Sequence, residues 1–357
     1  MGATQDNLER IFVKGNEAIG HGAIAAGCRC YFGYPITPQN DIPEMLSTAM
    51  PKAGGSFVQA ESEVAAANML LGATACGIRA FTSSSSPGIS LMQEAISYMA
   101  GSELPGVIVN MNRGGPGLGD IGPAQGDYFQ AVKGGGHGDY RLYVLAPASC
   151  QEAYDMMLEA FDVAFRFRNP VMVLGDAILG QMKEPVLLRP AEGINTAEAA
   201  GWELRGARDR APRVHCSLYL TEGALAGHNR KLQAKYAAMQ SLARAELFET
   251  DDAALVVVAY GSIGRIAKTA VRKLRSEGLA VGLLRPQTLY PFPAQQLRSL
   301  AVQGKRFLTI EHNTGQMVED VRLAVCGVAE SDFFGIMPGD LPTPDDCEAA
   351  IRDRVGR

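Results

Sequence analysis

The sequence predicts an α/β protein with a parallel β-sheet covered by helices on both faces, followed by a second, smaller α/β unit. Short apolar runs alternate with helical patterns through the first half of the chain, which is typical of strand–helix–strand units. A shorter series of the same kind begins near residue 254. The length of 357 residues also suits two domains of about 150 residues each.

In the first half, helices are indicated by apolar side chains at helical spacing and by alanine-rich stretches. Ile42, Met45 and Leu46 share one helical face, and residues 62–76 are rich in alanine, the best helix former, with Gly77 at the expected stop. The expected order is helix 16–26, strand 30–33, helix 39–50, strand 56–59, helix 62–76, strand 79–82, helix 89–100, strand 106–111, strand 142–146, helix 150–167 and strand 171–174.

The pattern weakens between about residues 183 and 252, where one charged amphipathic segment, 228–247, predicts a helix. We therefore expect a first domain over 1–190, a connection with one helix over 191–250, and a second domain over 251–357. The second domain is predicted as strand 254–259, turn 261–264, helix 263–276, strand 280–284, helix 294–300, strand 307–311 and helix 315–325.

Composition excludes several classes of protein. A net charge of −5 argues against a broad nucleic-acid surface, and the apolar runs are far shorter than the ~20 residues of a membrane span. The first ten residues are polar and carry no hydrophobic signal core. The seven cysteines include no CxxC pair, so we expect a reduced, cytoplasmic chain with no metal site or iron–sulfur cluster of its own.

The segment Tyr34-Pro35-Ile36-Thr37-Pro38 directly follows a predicted strand. The two prolines restrict the backbone and hold Thr37 at the carboxyl edge of the sheet, where ligands of open α/β folds bind. The Thr37 hydroxyl can donate to a carboxylate, or it can simply cap the helix that follows.

Two acidic residues, Glu61 and Glu63, begin the alanine-rich helix. The helix dipole stabilises carboxylates there by about 0.3–1 kcal/mol. Alternatively, one of them points into a cleft and hydrogen-bonds a ring nitrogen of a cofactor. Spacing alone does not choose between these two interpretations.

A glycine-rich loop, 113–126, follows strand 106–111 and begins with Arg113. Glycine permits close approach of the backbone to a ligand, and the guanidinium fork of Arg113 suits a carboxylate or a phosphate; a lone loop arginine is otherwise a solvated charge. The serine-rich segment 83–88 precedes a helix and could hold an anion or provide an N-cap with spare serines.

Three further patterns are incomplete. Gly175-Asp176-Ala177 lacks the second glycine of a thiamine-diphosphate magnesium motif, and residues 261–264 form only half a dinucleotide fingerprint. His312 follows Glu311 at a strand end; it could be catalytic, but a capping or surface histidine is the simpler expectation.

The ordered set of motifs resembles the α subunit of the 2-oxoacid:ferredoxin oxidoreductases, closest to the 2-oxoisovalerate (3-methyl-2-oxobutanoate) type. The resemblance covers about residues 14–341. It rests on YPITP at 34–38, ESEVAA at 61–66, RGGP at 113–116, LRPQTLYPFP at 284–293 and GQMVEDVR at 315–322.

The resemblance implies a thiamine-diphosphate pyrimidine-binding domain followed by a transketolase C-terminal-like domain. It assigns Glu63 as the catalytic carboxylate that hydrogen-bonds the aminopyrimidine ring, rather than Glu61, because only Glu63 keeps the spacing to Gly72. Thr37 and Arg113 would bind the substrate carboxylate, or Arg113 would bind coenzyme A. Pro35 and Ile36 would contact the cofactor.

The resemblance further implies oxidative decarboxylation of a 2-oxoacid with coenzyme A, giving acyl-CoA, CO₂ and reduced ferredoxin. A β subunit would share the thiamine diphosphate and supply Mg²⁺ and a [4Fe–4S] cluster, beside γ and ferredoxin-like δ subunits. A branched-chain substrate is expected, with 2-oxoglutarate, pyruvate or an aryl glyoxylate as alternatives. A non-catalytic scaffold subunit and a stand-alone nucleotide-binding protein remain alternatives of other classes.

Overall fold

The computed structural model describes residues 9–189 and 196–355. Its strands are β1 (Arg10–Lys14), β2 (Cys30–Gly33), β3 (Ser56–Gln59), β4 (Ala80–Ser84), β5 (Val107–Asn112), β6 (Tyr143–Leu145), β7 (Val171–Asp176), β8 (Lys183–Leu187), β9 (Ala245–Phe248), β10 (Leu255–Val258), β11 (Val281–Pro286), β12 (Thr288–Tyr290), β13 (Arg306–Glu311) and β14 (Ser331–Gly335).

The α-helices are α1 (Gly15–Ala25), α2 (Asp41–Lys52), α3 (Glu63–Ala75), α4 (Ser86–Gly101), α5 (Cys150–Phe167), α6 (Ala177–Gln181), α7 (Ala224–Met239), α8 (Gly261–Ser276), α9 (Ala294–Val302), α10 (Met317–Val325) and α11 (Pro344–Val355). A π-helical turn spans Gln130–Gly134, and 3₁₀ turns span Thr196–Ala199 and Gln240–Leu242.

The first sheet has seven strands in the order β12-β6-β7-β5-β4-β2-β3. All neighbours in it run parallel except β12, which lies antiparallel to β6 at one edge. Along β5, Val107 and Val109 pack into one apolar cluster while Ile108 packs into the other, because successive strand side chains point to opposite faces. The predicted parallel sheet with both faces covered is therefore confirmed.

The second sheet has five strands in the order β14-β13-β10-β11-β9. Its β14, β13, β10 and β11 are parallel, and β9 is antiparallel to β11. The central strand β10 reads Leu-Val-Val-Val and is buried along its whole length, as expected for a parallel strand covered on both faces. The predicted second α/β unit is thus present.

The helix predicted over 228–247 is wrong at its C-terminal end. Helix α7 stops at Met239, and residues 245–248 form β9 instead. The Glu246 side chain in β9 forms ion pairs with Lys268 and with Arg285. These long-range partners favour a strand where the local pattern continues as a helix.

Several strands and one helix of the structure were not predicted from the sequence pattern. The antiparallel pair β1–β8, the edge strand β12, strand β14 and helix α11 were not expected. Residues 261–264 form the first turn of α8 rather than a separate turn. The expected boundary at 190/191 involves residues outside the described ranges.

The two α/β units are joined by polar side chains that form hydrogen bonds to both of them. Gln125 donates through Nε2 to the carbonyl oxygen of Tyr260 (3.0 Å) and accepts through Oε1 from the amide of His312 (3.1 Å). Arg285 in β11 forms a bidentate pair with Glu152 in α5, at 3.0 and 2.6 Å. These contacts fix the second unit against the carboxyl edge of the first sheet.

The cysteines are all free thiols. Among the helices of residues 9–189 and 196–355, none combines the length and apolar character that a membrane crossing requires.

Candidate functional site

The loops that follow β2, β4 and β5 meet at the carboxyl edge of the first sheet, the edge where ligands bind in open α/β folds. A cleft of about 560 Å³ opens there, lined by residues 86, 87 and 90 at the start of α4, by 113–117 and 126–127 after β5, and by 313, 314, 316, 337 and 338 of the second unit. Ser86, Arg113 and Asp127 contribute polar side chains to its lining. This volume lies within the roughly 300–1,000 Å³ range of small-molecule sites.

Glu63 lies at the first position of α3, whose N-cap residue Ser62 accepts a hydrogen bond from the amide of Ala65. The Glu63 side chain is buried, whereas Glu61 is exposed to solvent. Within residues 9–189 and 196–355, no side chain or amide donates a hydrogen bond to the Glu63 carboxylate. A helix-dipole role would be served equally well at the surface, so the burial favours a role for Glu63 in a site.

Gly88 lies directly against the Glu63 carboxylate. A Cβ atom at position 88 would lie within 2.6 Å of both Oε1 of Glu63 and Oγ of Ser84. No residue larger than glycine fits there unless both of these side chains move. The early turns of α3 and α4 therefore approach each other closely at this point.

Arg113 and Thr37 lie close together, as a shared role in binding one anion requires. The Arg113 guanidinium donates to the carbonyl oxygen of Thr37 and to that of Leu118, each at 3.1 Å. Thr37 does not cap α2, whose N-cap residue is Asn40; the Thr37 hydroxyl accepts from the Asn40 side chain at 3.4 Å. Arg113 is half-buried rather than freely solvated.

Pro35 is exposed and Ile36 half-buried, in the turn just before Thr37. Gln39 fixes this turn by donating to the carbonyl oxygen of Tyr34 at 3.2 Å. The YPITP segment therefore presents part of its surface at the sheet edge. The roles expected of Pro35 and Ile36 remain predictions.

The glycine-rich loop folds back on itself as a narrow hairpin. Gly114 donates to the carbonyl oxygen of Gly122 at 3.1 Å, and Asp120 donates to that of Gly114 at 3.0 Å. Gly119 has a positive φ of 56° and no room for a Cβ against Gly114, so glycine is required there. The tip residue Leu118 is 81% exposed.

The serines of 83–88 have different surroundings. The Ser83 hydroxyl donates to Gln39 at 2.6 Å and contacts the Tyr31 hydroxyl at 2.8 Å, deep in the core. The Ser86 hydroxyl accepts from the amide of Arg113 at 3.1 Å. Ser85 is the N-cap residue of α4 but forms no side-chain capping bond. The segment thus organises the loops around it and does not form one open anion cradle.

Asp127 lines the cleft and was not singled out by the sequence pattern. Its carboxylate accepts from the Asn110 side chain at 2.8 Å, and burial raises the pKa of the Asp127 carboxyl above its ordinary value. Because Asn110 lies 17 residues earlier, no local spacing reveals this pair. Only the position of Asp127 just after a glycine-rich loop could have suggested it.

His312 is completely buried, so the expectation of a surface or capping histidine is wrong. Its Nε2 lies 3.2 Å from the carbonyl oxygen of Met337, and burial lowers the pKa of its imidazole. Asp176, from the incomplete magnesium motif, caps α6 through the amide of Leu179 at 3.0 Å and accepts from the Ser262 hydroxyl. Asp176 therefore links the two units.

Two family models match the chain. Residues 21–251 match the model described as pyruvate flavodoxin/ferredoxin oxidoreductase, thiamine diphosphate-binding, and residues 253–347 match pyruvate:ferredoxin oxidoreductase core domain II. Together these matches cover most of the described fold.

Relatives of known name match over nearly their whole length. The chain is 50% identical to ketoisovalerate oxidoreductase subunit VorB of Methanothermobacter thermautotrophicus, over 96% of this chain and 97% of that one. It is 39% identical to 2-oxoglutarate synthase subunit KorA of Archaeoglobus fulgidus, over 94% and 98%, and 31% identical to pyruvate synthase subunit PorA of Pyrococcus horikoshii, over 94% and 87%.

Among solved structures, the 2-oxoglutarate:ferredoxin oxidoreductase of Magnetococcus marinus superposes with a TM-score of 0.87 at 25% identity, over 99% of this chain and 67% of that one. A split-gene transketolase superposes with a TM-score of 0.61 at 14% identity, over 96% and 98%, and supports the fold alone. The chain belongs to the pyruvate flavodoxin/ferredoxin oxidoreductase family, the thiamine-diphosphate-dependent 2-oxoacid oxidoreductases.

Proposed function

We propose that this chain is the α subunit of a 2-oxoacid:ferredoxin oxidoreductase that acts on a branched-chain 2-oxoacid such as 2-oxoisovalerate. The reaction converts the 2-oxoacid and coenzyme A into acyl-CoA and CO₂, and two electrons pass to ferredoxin. The preference for a branched-chain substrate is supported by the 50% identity to the ketoisovalerate subunit over 96% of the chain.

The observation that carries a catalytic role is the buried Glu63 carboxylate at the sheet edge. It is 6% exposed and receives no hydrogen bond within the described ranges. The small exposed part of the side chain includes carboxylate surface, so the carboxylate is open to a partner from outside the chain. A heteroaromatic ring with an N–H donor supplies such a partner.

The residues around Glu63 fit the pyrimidine half of thiamine diphosphate. Glu63 would hold the aminopyrimidine ring through its carboxylate, with Pro35 and Ile36 beside it in the turn after β2. When bound, the cofactor supplies a nucleophilic carbon and takes up the electrons released by decarboxylation. Glu63 would share a proton with the ring nitrogen that it contacts, which is general acid–base work.

Arg113 and Thr37 would orient the substrate by its carboxylate. Arg113 already donates to the Thr37 and Leu118 carbonyl oxygens, and the second hydrogen on each Nη atom, unpaired among the described residues, can bind an anion at the cleft. Because decarboxylation removes the charge that they bind, these groups position the substrate rather than stabilise the transition state. Binding of coenzyme A by Arg113 is the alternative.

Partner subunits complete the enzyme in this proposal. The relatives are named as subunits of larger oxidoreductases. We assign the diphosphate and Mg²⁺ sites and the [4Fe–4S] cluster to a β subunit, which shares the thiamine diphosphate with this chain. A γ subunit and a ferredoxin-like δ subunit would accompany them, in the cytoplasm.

Identity to the KorA and PorA subunits makes 2-oxoglutarate and pyruvate the competing substrates; an aryl glyoxylate is a further one. Turnover of the complex with coenzyme A on 2-oxoisovalerate, 2-oxoglutarate, pyruvate and phenylglyoxylate, measured without oxygen, distinguishes them. We expect the highest kcat/KM on 2-oxoisovalerate. A higher value on another substrate overturns the assignment of specificity.

Glu63→Gln in the assembled complex tests the catalytic role, with Glu61→Gln as the matched control two residues away. We expect Glu63→Gln to assemble normally and to lose nearly all turnover, and Glu61→Gln to retain it. Full activity of Glu63→Gln would instead identify the chain as a scaffold subunit. Tight binding of a dinucleotide by the chain alone would favour the nucleotide-binding alternative.

A further inference from the structure

Ser84, the last residue of β4, is fully buried, and its hydroxyl has no hydrogen-bond partner within the described part of the chain. An unpaired buried hydroxyl costs about 1–3 kcal/mol, and an alanine would avoid that cost. A serine at this position is therefore explained only if its hydroxyl has a use for a neighbouring group.

The Glu63 carboxylate, which receives no hydrogen bond from the described residues, lies close to this hydroxyl. Oγ of Ser84 and Oε1 of Glu63 both lie within 2.6 Å of the position that a Cβ on Gly88 would occupy. The missing side chain of Gly88 is thus what allows the hydroxyl and the carboxylate to approach each other. Ser84 offers a buried donor without an acceptor, and Glu63 offers an acceptor to which no described residue donates.

Asn110 on the neighbouring strand β5 is the partner of Ser84 in the β4–β5 register. The Asn110 side chain donates to Asp127 at 2.8 Å, while its Oδ1 atom is buried without a partner in residues 9–189 and 196–355. Asn110 Oδ1 is therefore a second unpaired acceptor on the adjacent strand, and a carboxylate is the stronger acceptor of the two.

We propose that Ser84 is a positioning residue for Glu63: rotation about its Cα–Cβ bond turns the hydroxyl, which is unpaired in this structure, to donate to the Glu63 carboxylate and fix the orientation in which that carboxylate would meet the aminopyrimidine ring. The inference rests on the proposed function, since it acts through the cofactor contact of Glu63. Gly88 is its structural counterpart, because any larger side chain there separates the two groups.

The test is a double-mutant cycle in the assembled complex, with the dissociation constant of thiamine diphosphate as its readout. We expect Ser84→Ala to weaken thiamine diphosphate binding by about tenfold and to lower kcat by a similar factor, with KM for the 2-oxoacid changed less than twofold. In a Glu63→Gln background, Ser84→Ala is expected to change the dissociation constant less than twofold, because the effect passes through Glu63.

Thr82→Val is the matched control. Thr82 lies two residues earlier on the same strand, and its buried hydroxyl also has no partner among the described residues, yet it is not adjacent to Gly88. This variant is expected to leave cofactor affinity and turnover unchanged. If Ser84→Ala does not assemble, Ser84→Cys carries the test, since it keeps the shape and weakens the donor.

The inference is overturned if Ser84→Ala changes the dissociation constant of thiamine diphosphate equally in the wild-type and Glu63→Gln backgrounds. It is also overturned if Ser84→Ala alone keeps the wild-type dissociation constant and kcat. Either result leaves the proposed function intact as long as Glu63→Gln is inactive. Full activity of Glu63→Gln, in contrast, would overturn both.

Discussion

Arg113 and Thr37, which are 76 residues apart in the sequence, are joined by a 3.1 Å hydrogen bond from the guanidinium to the threonine carbonyl oxygen. The bond ties the loop after β5 to the loop after β2 across the intervening strand β4. The geometry of the cleft therefore depends on a guanidinium fork, which reaches two carbonyl oxygens at once.

Arg113→Lys is expected to lower kcat/KM for the 2-oxoacid by about 10- to 100-fold, mainly through a higher KM. A lysine keeps the charge but loses the fork that serves Thr37 and an incoming anion together. Steady-state kinetics of the assembled complex measure this. Arg230→Lys, at an exposed position on α7, should be indistinguishable from wild type, and an Arg113→Lys enzyme with wild-type KM would contradict the proposed role.

Gln125→Ala is expected to lower the free energy of unfolding by about 2–4 kcal/mol. It leaves the buried carbonyl oxygen of Tyr260 and the amide of His312 without their partners, each at a cost of about 1–3 kcal/mol. A thermal unfolding curve measures the loss. Gln295→Ala, on the exposed face of α9, should stay within about 0.5 kcal/mol of wild type; equal behaviour of the two variants would refute the bridging role.

His312→Gln is expected to flatten the pH dependence of stability below about pH 6.5. Burial lowers the pKa of the folded imidazole, so as the pH falls the unfolded chain binds a proton that the folded chain does not. Stability that is fully present above the ordinary histidine pKa is lost at up to about 1.4 kcal/mol per pH unit below it.

Thermal midpoints of the wild type and the His312→Gln variant between pH 5 and pH 8 check this expectation. His137→Gln is the control, because that side chain is exposed to water. A difference between wild type and His312→Gln that stays constant across the whole pH range would show that His312 contributes no proton linkage.

Glu311→Gln is expected to destabilise the protein by about 2–4 kcal/mol. The fully buried Glu311 carboxylate accepts from the amides of Met317 (2.7 Å) and Val318 (2.9 Å) and from the Asn313 side chain (3.0 Å). A glutamine would aim its own N–H₂ group at these donors. Glu319→Gln, exposed on α10, is the control, and an unchanged midpoint in Glu311→Gln would be the contrary result.

The alternation of strands and helices could be predicted because its signal is local. Apolar runs such as the Leu-Val-Val-Val of β10 and the alanines of α3 carry their own periodicity. The Arg113 and Glu63 motifs were recognisable for the same reason, since each follows or begins one such element.

What could not be predicted depends on contacts between distant residues. Strand β9 exists where the local pattern favours helix because Glu246 pairs with Lys268 and Arg285. The burial of His312 depends on Met337 and Gln125 around it. The pairing of Asp127 with Asn110 likewise depends on how the loop after β5 folds back onto that strand across 17 residues, which no short window of sequence contains.

Strand β12 has a consequence for any attempt to divide the molecule. Residues 288–290 follow β11 of the second sheet, yet they pair with β6 and form the edge of the first sheet. A fragment ending near residue 252 would leave the backbone of β6 open, and an open edge recruits strands from other chains. The two halves therefore cannot be exchanged independently between relatives. In a chimaera of two relatives, residues 288–290 and strand β6 must come from the same parent.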